Sequence, residues 1–203
     1  EFFIKDIPPR SMVDLQVERP EIYFGEVTDY PVFVHTDMKE FDYPLGDTNA
    51  TTTYEAERGL PIGSSIMRLL FAWDLGIYQI LFTGNFNSES RVLLNRRIQD
   101  RVPRLAPFLE YDQDPYLVVA DGRLYWMLDA YTSSSRYPYS EPFPSRESPR
   151  FNYMRNSVKV VVDAYLGDVD FYLADESDPL IQAFSDIFPD MFQSMSDMPE
   201  SLR

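Results

Sequence analysis

The chain has 203 residues, 44% hydrophobic and 15% aromatic, enough to bury a sizeable core, so global disorder is excluded. Its formal net charge of −15 argues against nucleic acid or an anionic membrane surface as the main partner. There is no cysteine, which removes disulfides, thiolate metal sites and a cysteine nucleophile, and no run approaches the roughly 18 apolar residues of a membrane span.

The chain opens on Glu1-Phe2-Phe3 without a signal-peptide pattern and reads as part of something longer, folded as one domain over residues 1–203. Residues 2–7 form a short extended segment halted by Pro8-Pro9, and residues 10–20 stay extended, with Met12, Leu15 and Val17 partly covered. EIYFGEV (21–27) and VFVHT (32–36) read as strands joined in a hairpin at 28–31. Residues 39–63, rich in Gly, Pro, Asp, Asn and Thr, have no helical periodicity and read as a long loop. Ser64 or Ser65 caps a helix running to about Leu75, with Ile66, Leu69, Leu70 and Trp73 as its inward stripe, and Gly76 ends it. A short buried helix is expected at 77–82. Ser88 then caps a helix to about Val102 that places Val92, Leu94, Ile98 and Val102 inward. Arg91, Arg96, Arg97, Arg101 and Arg104 make it the basic stretch of an acidic chain, and Pro103 breaks or kinks it. Residues 64–106 thus form a helical block.

The best-defined stretch is 115–142, PYLVVADGRLYWMLDAYTSSSRYPYSEP. Asp121-Gly122 suits a two-residue type I′ hairpin, in which both central residues need positive φ. That turn pairs Ala120 with Arg123, Val118 with Tyr125 and Tyr116 with Met127. Leu117, Val119, Leu124 and Trp126 occupy the other face, so the hairpin is expected to be covered on both sides. The strand exits through Asp129-Ala130-Tyr131, and 132–150 follows as a second long loop. A third hairpin pairs 158–165 with 169–174 around Leu166-Gly167-Asp168. Ser177 or Asp178 caps a last helix with Pro179 in its first turn and Leu180, Ile181, Phe184, Ile187 and Phe188 on its apolar face. The Met-rich tail from Pro189 carries no strong signal and is expected to be helical only with a continuation. The fold class is α+β: antiparallel hairpins forming a sheet packed against the helical block.

Candidate chemistry is sparse. His35 is the single histidine, in neither an HExxH nor a GxSxG context, and suits a structural role. Asp112 and Asp114 precede the central hairpin and Asp129 leaves it. Such carboxylates could serve as an acid/base pair on a glycosidic bond or hold calcium, or could simply form turns. Tyr131, Tyr137 and Tyr139 could stack on sugar rings or a protein partner, or lie down and seal the hairpin. These six residues are the candidate ligand contacts. No Gly-rich phosphate loop is present, and no cofactor or metal is expected.

The central stretch, with its preceding Asp114, resembles the hallmark segment of an uncharacterised family of large bacterial and archaeal multi-pass membrane proteins. The resemblance extends to KDIPP (5–9), RPEIYFGE (19–26), KEFDYPLGD (39–47), TTYE (52–55), SRVLLNRRIQDRVPRLAPFLEYD (90–112) and NYMRNSVKVVVDAY (152–165). It implies a portion lying outside the cytoplasm in a protein of the cell membrane. The partners it implies are the protein's own N-terminal transmembrane region and an envelope protein or polysaccharide. It brings no catalytic residues. A non-catalytic interaction or scaffolding module of the cell envelope is therefore expected first. A carboxylate-based enzyme or binding module for envelope sugar polymers is the alternative.

Overall fold

The structure is a computed structural model that describes residues 4–5, 10–11, 17–45, 48–143 and 151–203. It is α+β and divides into two compact units, Thr28–Arg96 with Glu1–Leu15, and Arg97–Arg203 with Gln16–Val27. Met12 and Leu15 of the expected extended N-terminal segment lie outside the described residues, as does part of the 132–150 loop.

The first unit contains β1 (Ile4–Lys5), β2 (Arg10–Ser11), β3 (Val32–Val34), β4 (Glu40–Leu45), β5 (Thr48–Thr52), β6 (Leu60–Pro61), α1 (Ser65–Leu75) and β7 (Arg91–Leu93). β1 pairs with β2, β4 with β5, and β7 lies between β3 and β6. Three sequence expectations are corrected here. The hairpin of 21–27 with 32–36 does not form, because β3 takes β7 as its partner. The 39–63 loop contains the β4–β5 hairpin and β6, the Thr-rich TNATT run supplying β-branched side chains that favour extended backbone. The helix expected from Ser88 is a strand at its start: Val92 and Leu93 are buried between β3 and β6, and Asn95, at φ 50°, interrupts the chain before any helix. Ser88 therefore caps no helix: it lies in the turn before β7, and its hydroxyl donates to the Glu89 carboxylate at 3.2 Å.

α1 begins and ends as expected. The Ser64 hydroxyl accepts from the Met67 amide at 3.2 Å, and Gly76 closes the helix at φ 68°. The inward stripe, however, is the opposite one. Phe71 and Ala72 are buried with Ile62, Ile80 and Val92, and Met67 and Leu75 pack beside them. Ile66, Leu69, Leu70 and Trp73 face outward. The helix is apolar around most of its circumference, so spacing supports two stripes, and the shape of the local core selects one. The short helix after it is a 3-10 turn, Tyr78–Leu81, in which Ile80 alone is buried.

The second unit contains α2 (Ile98–Leu105), β8 (Glu110–Tyr111), β9 (Tyr116–Ala120), β10 (Arg123–Ser134), β11 (Tyr153–Asp163), β12 (Val169–Leu173), α3 (Pro179–Ile187) and β13 (Phe192–Ser194). α2 continues past Pro103 to Leu105 rather than breaking there. The sheet order is β13-β12-β11-β10-β8, with β9 also on β10, and only the β12–β13 pairing is parallel. The central register is the expected one, Ala120 opposite Arg123, Val118 opposite Tyr125 and Tyr116 opposite Met127. Asp121 and Gly122 have φ 48° and 73°, as a type I′ turn requires.

β8 and β9 line the same side of β10, so they form one edge strand interrupted at 112–115. The hairpin is therefore not covered on both sides: β10 is central, but Tyr116 and Leu117 on β9 are exposed. β10 also runs on to Ser134, so Asp129-Ala130-Tyr131 sits within a strand and spans a register shift between Ala130 and Tyr131. One sheet face, with Trp126, Leu128, Val158, Val160, Val162 and Phe171, is covered by α2 and α3 through Ile98, Val102 and Ile181. The other is partly covered by the tail, which is ordered on its own account. After β13 it makes 3-10 turns at Met195–Asp197 and Glu200–Leu202, and buries Met198 and Leu202 against Ala120, Met127, Val161 and Tyr172.

Residues 17–27 are a strap rather than a strand. The Glu18 amide donates to the Gly122 carbonyl at 2.9 Å, and the Tyr23 and Phe24 amides share the Ala164 carbonyl. The Trp126 indole donates to the Phe24 carbonyl at 3.0 Å.

Candidate functional site

The sheet face that alternates with the helix-covered one carries Tyr116, Met127, Asp129, Lys159, Val161 and Tyr172, placed side by side by the strand register. Asp129 and Lys159 lie directly opposite and close an ion pair. The Lys159 ammonium also sits 5.9 Å from the Tyr116 ring centroid. Partial burial would lower the Lys159 pKa, but the hydrogen bond and charge of Asp129 outweigh it and hold the pKa above the ordinary value.

Three of the six residues expected as ligand contacts converge here. The Asp112 amide donates to the Asp129 carbonyl at 3.0 Å. Burial first, then the charges of Asp129 and Asp112, raise the Tyr131 phenol, which places those three groups in one field. Asp112 is also a turn former: its Oδ1 accepts from the Asp114 amide at 3.2 Å, ahead of Pro115, so Asp114 belongs to the interruption of the edge strand.

The other two tyrosines lie elsewhere. Tyr137 stacks on Tyr153 with ring centroids 4.3 Å apart. Tyr153 precedes Lys159 by six residues on β11, about 20 Å along an extended strand. Asn152 clamps this loop, accepting from the Tyr137 amide at 2.9 Å and donating to the Tyr137 and Ser140 carbonyls. Tyr139 points into solvent at φ 60°. Among the described residues, no group of three or more His, Asp or Glu side chains is arranged to hold a metal ion.

The most concentrated polar cluster is one that the sequence shows only in part. Asp178, fully buried, caps α3 through the Leu180 amide at 3.0 Å. Its carboxylate also accepts from Ser157 and Tyr153, each at 2.5 Å, and from Thr132. Burial alone would raise the Asp178 carboxyl, yet the Ser157, Thr132 and Tyr153 hydroxyls with the Leu180 amide hold it below the usual carboxylate range. Every oxygen is engaged, so the cluster ties β10, β11 and α3 together and offers no open acid or base. The capping role of Asp178 is legible locally; its reach to Thr132 and Ser157 depends on strand register.

The first unit presents a different surface. Ile66, Leu69, Leu70 and Trp73 are 73, 59, 57 and 82% exposed along one face of α1. Tyr78 and Phe82, in and just after the following turn, are exposed as well. Only Arg68 and Asp74 are charged in residues 64–82. These large side chains stand in solvent together on one short segment, a larger apolar group than scattered single residues make.

The family model described as "Uncharacterised protein family (UPF0182)" matches residues 1–203. A UPF0182 protein of Pelotomaculum thermopropionicum is 52% identical over 202 residues, covering 100% of this chain and 22% of that protein. One of Alkaliphilus metalliredigens is 49% identical over 201 residues, covering 99% of this chain and 21% of that protein. One of Synechococcus sp. (strain JA-2-3B'a(2-13)) is 47% identical over 210 residues, covering 100% and 24%. The chain thus spans about a fifth to a quarter of the relatives it matches. No solved structure matches.

Proposed function

Because the chain belongs to the uncharacterised protein family UPF0182 and spans about 22% of a relative's length, we propose that it is a non-catalytic interaction module of a larger membrane protein of the cell envelope. It works outside the cytoplasm, and it docks onto the remainder of its own polypeptide, including an N-terminal transmembrane region. The observation that carries this reading is the exposed apolar face of α1. Leaving Ile66, Leu69, Leu70 and Trp73 in water forfeits about 1.5–3 kcal/mol for each side chain of this size that could be buried. A helix face with i, i+3, i+4, i+7 apolar spacing is shaped to receive another helix, and the longer polypeptide supplies candidates at high effective concentration. The membrane and envelope setting rests on the family resemblance of the motifs. Among the described residues, no helix is long and apolar enough to cross a membrane. Carboxylate chemistry on sugar polymers has less support, because Asp129 is neutralised by Lys159 and Asp112 closes a turn.

Single cysteines replacing Trp73 and Tyr139 in an otherwise cysteine-free full-length protein test both parts. On intact cells treated with a membrane-impermeant maleimide, Tyr139→Cys should label and Trp73→Cys should resist until the protein is denatured. Equal labelling of the two sites would remove the docking reading. Labelling of neither before lysis would remove the placement outside the cytoplasm.

A further inference from the structure

A second open surface lies wholly within the second unit, and its chemistry differs from that of α1. β13 pairs only with Phe171, Tyr172 and Leu173, so the first two residues of β12, Val169 and Asp170, run past its end. At Pro189–Met191 the connection from α3 turns away instead of continuing the ladder, as proline favours. The gap is a groove of about 530 Å3, lined by Val169, Phe171, Ile187, Phe188, Met191 and Leu105 on its apolar walls. Ile187 and Leu105 are 63 and 47% exposed there. The floor is preorganised: Phe188 stacks on Phe108 at 5.2 Å, and Phe171 meets Phe192 edge-on at 6.0 Å.

The charge of the groove is one-sided. Asp170 and Asp190 line it, and among the described residues no basic side chain does; Arg104, next to Leu105 on α2, is the adjacent cation in sequence. Gln193 donates to Asp170 at 2.8 Å and holds that carboxylate at the rim. An unfinished strand edge above an apolar floor is the geometry to which an extended peptide adds, with alternate side chains entering the pocket. Acidic groups at the rim select cationic neighbours.

We propose that this groove receives an extended segment of the same polypeptide from outside residues 1–203, with an apolar side chain on the aromatic floor and a lysine or arginine facing Asp170 and Asp190. Length argues for the same polypeptide, since relatives carry more than three quarters of their chain beyond the part matched here. The occupant is extended and basic, so it is distinct from the apolar helix argued for α1, and either assignment can fail alone.

The test is photo-crosslinking from position 187 of the full-length protein, with a photoreactive residue in place of Ile187 and a control at the solvent-exposed Tyr139. The expected product is an intramolecular adduct whose mass-mapped segment lies outside 1–203 and holds a lysine or arginine within two residues of the crosslink. Asp190→Asn, at an exposed position, should reduce the adduct several-fold, and Asp170→Asn should do the same. Raising salt to about 1 M, where screening acts within about 3 Å, should also reduce it. An adduct with lipid, with a second copy of this chain, or with another protein would overturn the proposal. So would a segment lacking basic residues, a yield indifferent to both substitutions, or no adduct above the Tyr139 control.

Discussion

Asp178 does two jobs with one carboxylate, and each has a measurable consequence. Replacing it by Asn keeps an acceptor for the helix cap but leaves the Thr132, Ser157 and Tyr153 hydroxyls around a neutral group that cannot accept from all of them. The loss expected at neutral pH is about 1–3 kcal/mol in urea unfolding. Its pH dependence follows from the sign of the shift. The folded-state carboxyl is depressed, so the stabilisation is fully present above the unfolded value of about 3.9 and is lost as pH falls through the lower folded value. The gap between wild type and Asp178→Asn should therefore close as pH drops below about 4; a gap that widens in acid would contradict the assignment. Gly167 gives a purely steric counterpart. A Cβ there would lie 2.6 Å from the Phe24 ring with φ at 73°, whereas Gly76, at φ 68°, has open space. Gly76→Ala should cost about 1 kcal/mol for the left-handed backbone, and Gly167→Ala at least about 1–3 kcal/mol more because Phe24 must move. Comparing their melting temperatures checks the difference.

At the scale of elements, the tail is the informative case. Met198 is 2% exposed and packs on the sheet face beside Met127, Val161 and Tyr172. Met198→Ala should destabilise the unit by about 2–5 kcal/mol, and hydrogen exchange should quicken at β9 and β12. No such effect would mean that the tail merely rests on the sheet. Elements whose signals are local were legible in the sequence: the Asp121-Gly122 turn and its register, the Ser64 and Gly76 ends of α1, the Asp178 cap, and the β11–β12 hairpin, although its turn falls at 164–166, two residues earlier than expected. Elements decided by a distant partner were not. β7 is a strand because β3 and β6 flank it, the outward stripe of α1 is outward because Phe71 fits the core better, and the tail folds because Met127 and Val161 await it. The candidate contacts divide in the same way. Asp129 and Tyr131 neighbour each other on β10 and Asp112 reaches them through the β8–β10 pairing, while Tyr137 is drawn off by Tyr153 and Lys159 enters from a strand the sequence could not place opposite Asp129.

At the scale of the whole molecule, the two tryptophans report on the two units separately. Trp73 is 82% exposed in the first, and Trp126 is 9% exposed in the second, with its indole held by the Phe24 carbonyl. Iodide should quench the Trp73 emission of the 203-residue chain and leave Trp126 almost untouched, and Trp73→Phe should leave a blue-shifted spectrum that reports unfolding of the second unit alone. In the full-length protein the Trp73 emission should become protected if α1 is covered. Persistent quenching there would leave the apolar face of α1 without an occupant.

The second unit is discontinuous: Gln16–Val27 leaves the ribosome first, and Arg97–Arg203 follows after the whole of Thr28–Arg96. The Tyr23 and Phe24 amides must then wait for the Ala164 carbonyl, and the sheet face stays uncovered until Leu202 emerges. At about 5–20 residues per second, the interval between strap and final cover is on the order of ten seconds or more. From the emergence of β10 until that of Leu202, the hairpin face around Met127 lacks its final cover. A nascent chain stalled before Met198 should be the form most open to proteases and chaperones, although every strand of the sheet has already been synthesised.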